Sequence, residues 1–467
     1  MLETIVDEWG KDVKEKLEGS VQELITSCDF SRLEDVVQGM VNELVKTLLQ
    51  TVLEETFADE GFLVVLKQFG ASLGLRFKGC REVTVYVYTG CQIRIKSPYF
   101  VVKRKKRGRK KRGPNGRGHH VGLKVLGFIA RGSGHFVSEI VKLALLCPSF
   151  HVAREVLSER KIALNVKTIR RYCRALGQKG REGRGAISLQ AHESVAGQTV
   201  VIGIDGGRIR ERTAKRGRKK QGQTRQGYHT DWREPKLLTL YLHDADGKRV
   251  KTFAPIHDAT LGDDAAVFAL LERYLHQFDL LSIDRIVFTG DGAPWIWRQV
   301  EKLIARLNLP PTRVTQVIDY AHATQNLYDI VELADAQDRQ RLFRTWKRLL
   351  FRGKIDGLGK AIRQVFSGTT LTDALKKWTS YFQKNAGRMQ YTVFREQALP
   401  CGSGHVESAI RRVINLRLKA PGTFWTREMA ECFLFLRSQL LSGRWKIFMQ
   451  NMSRKLARRL TSDFVLT

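Results

Sequence analysis

The chain has 467 residues, with 80 Lys and Arg against 47 Asp and Glu and a formal net charge of +33. That length allows two or three domains and a substantial core. The charge is out of scale for a metabolic enzyme acting on small molecules and suits a partner rich in phosphate, such as double-stranded DNA, whose binding would be strong and salt-dependent. A protein that merely coats nucleic acid would share this composition. Seven cysteines stand apart and never form a Cys-x-x-Cys pair, which argues for a reducing compartment and against a zinc ribbon. With no long apolar run and an acidic start unlike a signal peptide, the expected location is the cytoplasm, on the nucleoid.

Residues 1–66 form an acidic segment with helical periodicity (Val41, Leu44, Val45, Leu48, Leu49). It reads equally as a dimerisation or regulatory arm and as an amphipathic hairpin packed on its own domain. Residues 67–118 follow as a small β region, with short β-like runs at Val83–Tyr88 and Gln92–Ile95 separated by Gly90. It leads into a basic arm containing Lys103, Arg104, Lys105, Lys106, Arg109 and Lys110. Such a run is too charged to bury and suits phosphate contact without sequence readout.

Residues 119–185 read as a helix-turn-helix-like DNA-binding domain with helices at Val137–Leu146, Ala153–Leu157 and Val166–Leu176. The last places Lys167, Arg170, Arg171 and Arg174 outward, with Ile169, Tyr172 and Leu176 behind. A recognition helix has that pattern, although tri-helical cores without DNA contact share it. Ser188–Gln198 is the expected linker.

From Val200 the pattern alternates. Strands are expected at Val200–Ile204, Leu237–Leu242 and Val250–Ile256, then a helix at Leu261–Gln277, a strand at Arg285–Gly290, a helix, and a strand at Val314–Ile318. That order is the order of an RNase H-like fold: α/β, with a mixed five-stranded core. The first strand would lie beside the fourth, bringing Asp205 next to Asp291. Two carboxylates that close repel unless a cation neutralises them, and oxygen ligands suit Mg2+ or Mn2+. Glu407, in the first turns of a helix after the turn Gly402-Ser403-Gly404, is the third candidate ligand. Asp319, at the end of the fifth strand, has by spacing alone a claim equal to that of Asp291. Arg411, Arg417 and Lys419 follow Glu407 and are candidates for holding a DNA strand. Residues 208–233 carry further cations, including Lys219 and Lys220, close after Asp205. Trp232, Trp295 and Trp297 are candidates for stacking on unpaired bases, with core packing the better expectation for Trp297.

In series, Gly290-Asp291-Gly292-Ala293-Pro294-Trp295-Ile296-Trp297, Asp319-x-x-His322 and Gly402-x-Gly404-x-x-Glu407 with Arg417-x-Lys419 and Trp425 resemble DDE-type insertion-sequence transposases. The similarity is to the ISKra and ISLre groups and, more distantly, to Mutator-like transposases, and it covers about residues 200–437. It implies that Asp205, Asp291 and Glu407 are the metal ligands and that Asp319 and His322 support them; His322 is a catalytic candidate for contacting the scissile strand or moving a proton, although a lone histidine at a strand-to-helix turn is as often structural. It also implies a helical insertion before the last acid, matched by residues 328–400 between core segments 198–327 and 401–467. The function so implied is binding of element ends, metal-dependent strand cleavage and transfer of 3' ends to target DNA, by a homodimer or larger oligomer. The rivals are a structure-specific nuclease that cuts without joining and a non-catalytic DNA-binding regulator. An amphipathic helix at Phe424–Leu441, with Met429, Cys432, Phe433 and Leu436 on one side, is expected to buttress the helix bearing Glu407, and Lys455–Arg459 add a basic tail.

Overall fold

The computed structural model describes residues 2–102, 118–184, 189, 193–217, 222 and 227–452. The basic arm with Lys103, Arg104, Lys105, Lys106, Arg109 and Lys110, the pair Lys219 and Lys220, the tail Lys455–Arg459 and residues 188 and 190–192 of the expected linker lie outside the described residues. The chain divides into two compact units, Met1–Leu176 with Phe448–Thr467, and Gly177–Ile447. Among the described residues no helix is long and apolar enough to cross a membrane.

In the first unit, helices Leu2–Ser27, Phe30–Ala58 and Glu60–Ser72 are separated at acids that accept backbone N–H groups. Asp29 accepts from Ser31 and Asp59 from Phe62, supplying partners that the first helical turns lack. The second β-like run lies inside a longer strand, Gln92–Val102, and the first overruns the end of its antiparallel partner, Leu75–Tyr86, because the chain turns through Tyr88–Gly90. Val83, Val85, Ile93 and Ile95 pack on Phe57 and Leu123. Three helices follow at Gly134–Leu146, Phe150–Glu159 and Val166–Glu182. Asn165 starts the last by accepting from Thr168 N–H at 2.8 Å. On it Ile169, Tyr172 and Leu176 are buried, while Lys167, Arg170, Arg171 and Arg174 are exposed.

The second unit is mixed α/β, built on five strands: β1 (Thr199–Gly206), β2 (Lys236–His243), β3 (Ile256–Thr260), β4 (Arg285–Gly290) and β5 (Val314–Ile318). Their order across the sheet is β5-β4-β1-β2-β3. The pairs β1–β2 and β2–β3 are antiparallel, and β1–β4 and β4–β5 parallel. Val200–Ile204 is wholly buried, which explains an unbroken apolar run where a one-sided sheet would alternate.

One expected strand is displaced. Residues 250–255 turn at Lys251–Phe253 and reach Pro255, which has no N–H to give a ladder, so β3 begins only at Ile256, the last residue of the expected run Val250–Ile256. Its sequence, Ile-His-Asp-Ala-Thr, does not look like a buried strand. It is one because Asp258 accepts from Arg184 at 2.6 and 2.7 Å and from Tyr274 Oη at 2.8 Å, while His257 Nδ1 meets Thr239 Oγ1 at 2.9 Å. Arg184 and Asp258 are both almost fully buried. Asp258→Ala should therefore leave Arg184 short of its counter-charge and lower unfolding stability by about 3–5 kcal/mol, read by urea denaturation.

The segment between β5 and Glu407 is helical: Tyr320–Val331, Ala336–Phe351, Ile355–Val365, Gly368–Lys377 and Tyr391–Glu396. Its Leu342, Trp346, Leu350, Ile362 and Phe382 belong to the same apolar cluster as the sheet residues Ile202, Leu240 and Phe288. The insertion is thus part of this unit's core. Helix Arg427–Leu441 is buried on all sides from Met429 to Ser438, rather than along one face. Arg437 donates to the carbonyls of Val413 (2.7 Å) and Arg412, so the helix buttresses the segment that follows Glu407.

Candidate active site

The acids arrive by register. Gly203 pairs with Thr289 across the parallel β1–β4 ladder, so Asp205 and Asp291, each two residues further, reach the carboxyl ends of adjacent strands side by side. Ile318 pairs with Gly290, which brings Asp319 level with Asp291 one strand further out. This is the edge at which open α/β sheets hold their ligands. The turn after β4 is tied by Asp291 Oδ1, which accepts from Ala293 N–H at 2.9 Å, and by Trp297 Nε1, which donates to the Asp291 carbonyl at 2.8 Å. Trp297 is buried, Trp295 half-buried beneath Lys236, and Trp232 exposed.

Glu407 lies on the helix Gly404–Ala409, which continues through a π-helical turn, Ile410–Asn415, into Leu416–Leu418. Such turns occur often at functional sites. Gly203 lets this helix approach: a Cβ there would stand 2.9 Å from Val406 Cβ and 3.1 Å from Thr239 Cγ2. Val406 is the neighbour of Glu407, so the smallest residue of β1 sets how near the third acid comes to the first.

Asp319 fastens that helix to the sheet. One of its oxygens accepts from His322 N–H at 2.8 Å, starting helix Tyr320–Val331, and the other accepts from Ser403 N–H. Tyr320 N–H donates to the Cys401 carbonyl at 2.9 Å, and Ser403 Oγ donates to Glu407 Oε1 at 3.1 Å. Burial would raise the Asp319 carboxyl, but hydrogen bonds from His322 and Ser403 outweigh it and hold the group well below the usual carboxylate range.

His322 Nδ1 lies 3.4 Å from Asp319 Oδ1 and 3.8 Å from Glu407 Oε1. Among the described residues, Asp319, His322 and Glu407 are the group whose ligand atoms all lie within 4.8 Å of one another. The neighbouring Asp319 carboxylate, with the charges of Asp291 and Glu407, pushes the imidazole up to about 9 against its burial, which favours the cation at neutral pH. Asp205 moves the other way for an acid. Burial pushes its carboxyl up to about 6, against the Gly206 N–H that it accepts at 2.7 Å, with repulsion from Asp291 and Glu407 adding and His322 opposing.

Asp205, Asp291, Glu407 and His322, chosen from the sequence, are therefore one electrostatic cluster. Arg411 is exposed on the continuing helix and Lys419 just past its end. Arg417 is not available as a surface cation: it is 2% exposed, its guanidinium 5.1 Å from the Trp425 ring and 5.3 Å from that of Phe433. Stacking on two rings compensates for that burial, and no charge count along a helix reveals it. Tyr381 was not foreseen. It comes from the insertion and packs over Gly292 so closely that a Cβ there would overlap its ring. The second glycine of Gly-Asp-Gly was the one sequence signal of that contact.

No protein-family model and no curated protein matches this chain. Among solved structures it is similar to the Drosophila P element transposase strand transfer complex, at 12% identity and a TM-score of 0.24, over 71% of this chain and 84% of that chain. A likeness of that size decides neither fold nor activity.

Proposed function

We propose that this chain is a DNA transposase with an RNase H-like core, which cuts DNA strands in a metal-dependent reaction and joins the freed 3' ends to a target. The observation that carries this reading is the sheet order β5-β4-β1-β2-β3 with Asp205 and Asp291 at neighbouring strand ends and Glu407 brought over them by a helix. The donor set fits a hard divalent cation. Asp205, Asp291 and Glu407 offer carboxylate oxygens, and burial plus mutual repulsion leave Asp205 short of positive charge. These three residues would hold Mg2+ or Mn2+, which when bound supply Lewis-acid activation for in-line substitution at phosphorus.

The chain's own residues do the rest. Asp319 holds the Glu407 helix at the sheet edge, and Ser403 orients the Glu407 carboxylate. His322, carrying a proton between Asp319 and Glu407, balances the acids and can give that proton to a leaving oxygen. Water and a 3' hydroxyl can occupy the same nucleophile position, so cutting and joining need one site. Exposed Lys167, Arg170, Arg171 and Arg174 on one helix, Arg411 on another and Lys419 at that helix's end supply phosphate contacts, with Arg170 lying 5.0 Å over the Phe150 ring.

The test is a strand-transfer assay with DNA carrying the flanks of the gene and a plasmid target, with Mg2+ or with chelator. Joined product in Mg2+ alone supports the reading. Cut DNA without joined product would reduce it to a nuclease, and neither product under any metal would overturn it.

A further inference from the structure

After Gly206 and Gly207 the chain leaves the acid site and forms a two-stranded antiparallel hairpin, Ile209–Ala214 with Tyr228–Arg233. Its two faces differ. Ile209 and Glu211 point inward and are buried; Arg233 Nε donates to Glu211 Oε2 at 2.9 Å. Phe424-Trp425 lies along the edge, where Trp425 N–H donates to the Arg210 carbonyl at 2.9 Å and Arg212 N–H to the Trp425 carbonyl at 2.8 Å. The register pairs Arg210 with Trp232, Arg212 with Thr230 and Ala214 with Tyr228 on the outer face.

That outer face alternates rings and guanidinium groups. Arg210 stands 4.6 Å from the Phe424 ring and 5.6 Å from the Trp232 ring, and Arg212 stands 5.7 Å from the Tyr228 ring. The Tyr228 and Phe424 rings are 5.7 Å apart. Trp232 is 55% and Tyr228 44% exposed, on a strand whose six residues are all exposed. Large rings kept in water beside fixed cations suit a ligand with flat π faces and negative charge at regular intervals. An unpaired nucleic-acid strand has both, whereas in a duplex the base faces are already stacked on one another.

We infer that this hairpin face is a stacking platform for unpaired nucleotides, holding a DNA strand that has been separated from its complement beside Asp205. This deepens the proposed function and rests on it for the nature of the strand. Trp232 and Tyr228 take the bases, and Arg210 and Arg212 take the phosphates.

The experiment compares binding of the full chain to three probes: a blunt duplex, the same duplex with an unpaired thymidine tail, and oligo-dT. Chelator is present throughout, so the result does not depend on whether the chain cuts DNA. The tailed duplex should bind more tightly than the blunt one. Trp232→Leu should weaken the tailed duplex and oligo-dT about tenfold, from the loss of one stacked base, and leave the blunt duplex unchanged. Trp232→Phe, which keeps a ring, should restore most of the loss. Because Trp232 is exposed, neither variant opens the core, and an unchanged melting temperature verifies this. Equal affinity of the wild-type chain for tailed and blunt duplex would overturn the platform, as would an equal effect of Trp232→Leu on all three probes. Either result could stand beside positive strand transfer, so this inference can fail while the proposed function holds.

Discussion

Asp205→Asn, Asp291→Asn and Glu407→Gln are each expected to reduce DNA cleavage by roughly a thousandfold or more, with binding to duplex DNA nearly unchanged. Each variant keeps its side-chain shape and loses only charge. An asparagine amide at either aspartate position still presents an oxygen to the N–H group of Gly206 or Ala293, which anchor the acids now. On the proposed function duplex affinity rests on cations rather than on these acids, so a gel-shift measurement should separate the two effects. Cleavage surviving in all three variants would remove these residues from the chemistry. Asp319→Asn should behave differently, because its oxygens are occupied by His322 and Ser403 N–H groups. An asparagine oxygen can accept from one of them, so an intermediate loss of cleavage with lower thermal stability is expected.

Without divalent metal, Asp205→Asn should be more stable than the wild-type chain above pH 6. The sign follows from the raised carboxyl. The group is protonated in both folded and unfolded chains below about pH 4, and there it contributes nothing. Between about 4 and 6 the unfolded chain releases its proton and the folded chain, pushed up to about 6 by burial and by Asp291 and Glu407, does not. The wild-type chain thus loses stability across that window and carries the full penalty above it, up to about 3 kcal/mol for a shift of this size. Asn has no such penalty. Melting temperatures in chelator at pH 5 and pH 8 should show the variant's advantage partial at the lower pH and full at the higher. Adding Mg2+ should raise the melting temperature of the wild-type chain more than that of the variant, because a ligand stabilises in proportion to its affinity for the folded state. A variant less stable than wild type at pH 8 in chelator would contradict the strained-acid description of Asp205.

These two expectations rest on different parts of the molecule's legibility. Four of the five sheet strands and Asp205 and Asp291 beside their glycines follow from local pattern, since a buried strand reads as an apolar run and a turn needs its glycine, while the insertion before Glu407 was implied by the resemblance. Strand β3 did not follow, because its Asp258 and His257 are tolerated only with Arg184, Tyr274 and Thr239 supplied from far along the chain. Arg417 misled for the same reason in reverse: a cation looks solvent-exposed until two aromatic rings are brought to it by the fold.

What the amino-acid order determined by itself was therefore the set of elements, the strong positive charge and the residue types able to hold a cation. The ambiguity between Asp291 and Asp319 was beyond it, since both end apolar runs in nearly the same way. Tertiary structure decides which groups reach each. Asp319 meets two backbone N–H groups and fastens the Glu407 helix, while Asp291 and Glu407, the latter brought close by the gap at Gly203, act on Asp205 by repulsion that His322 opposes. The physical reason is that a carboxylate's role depends on which donors reach it, and those donors lie up to 84 residues away along the chain.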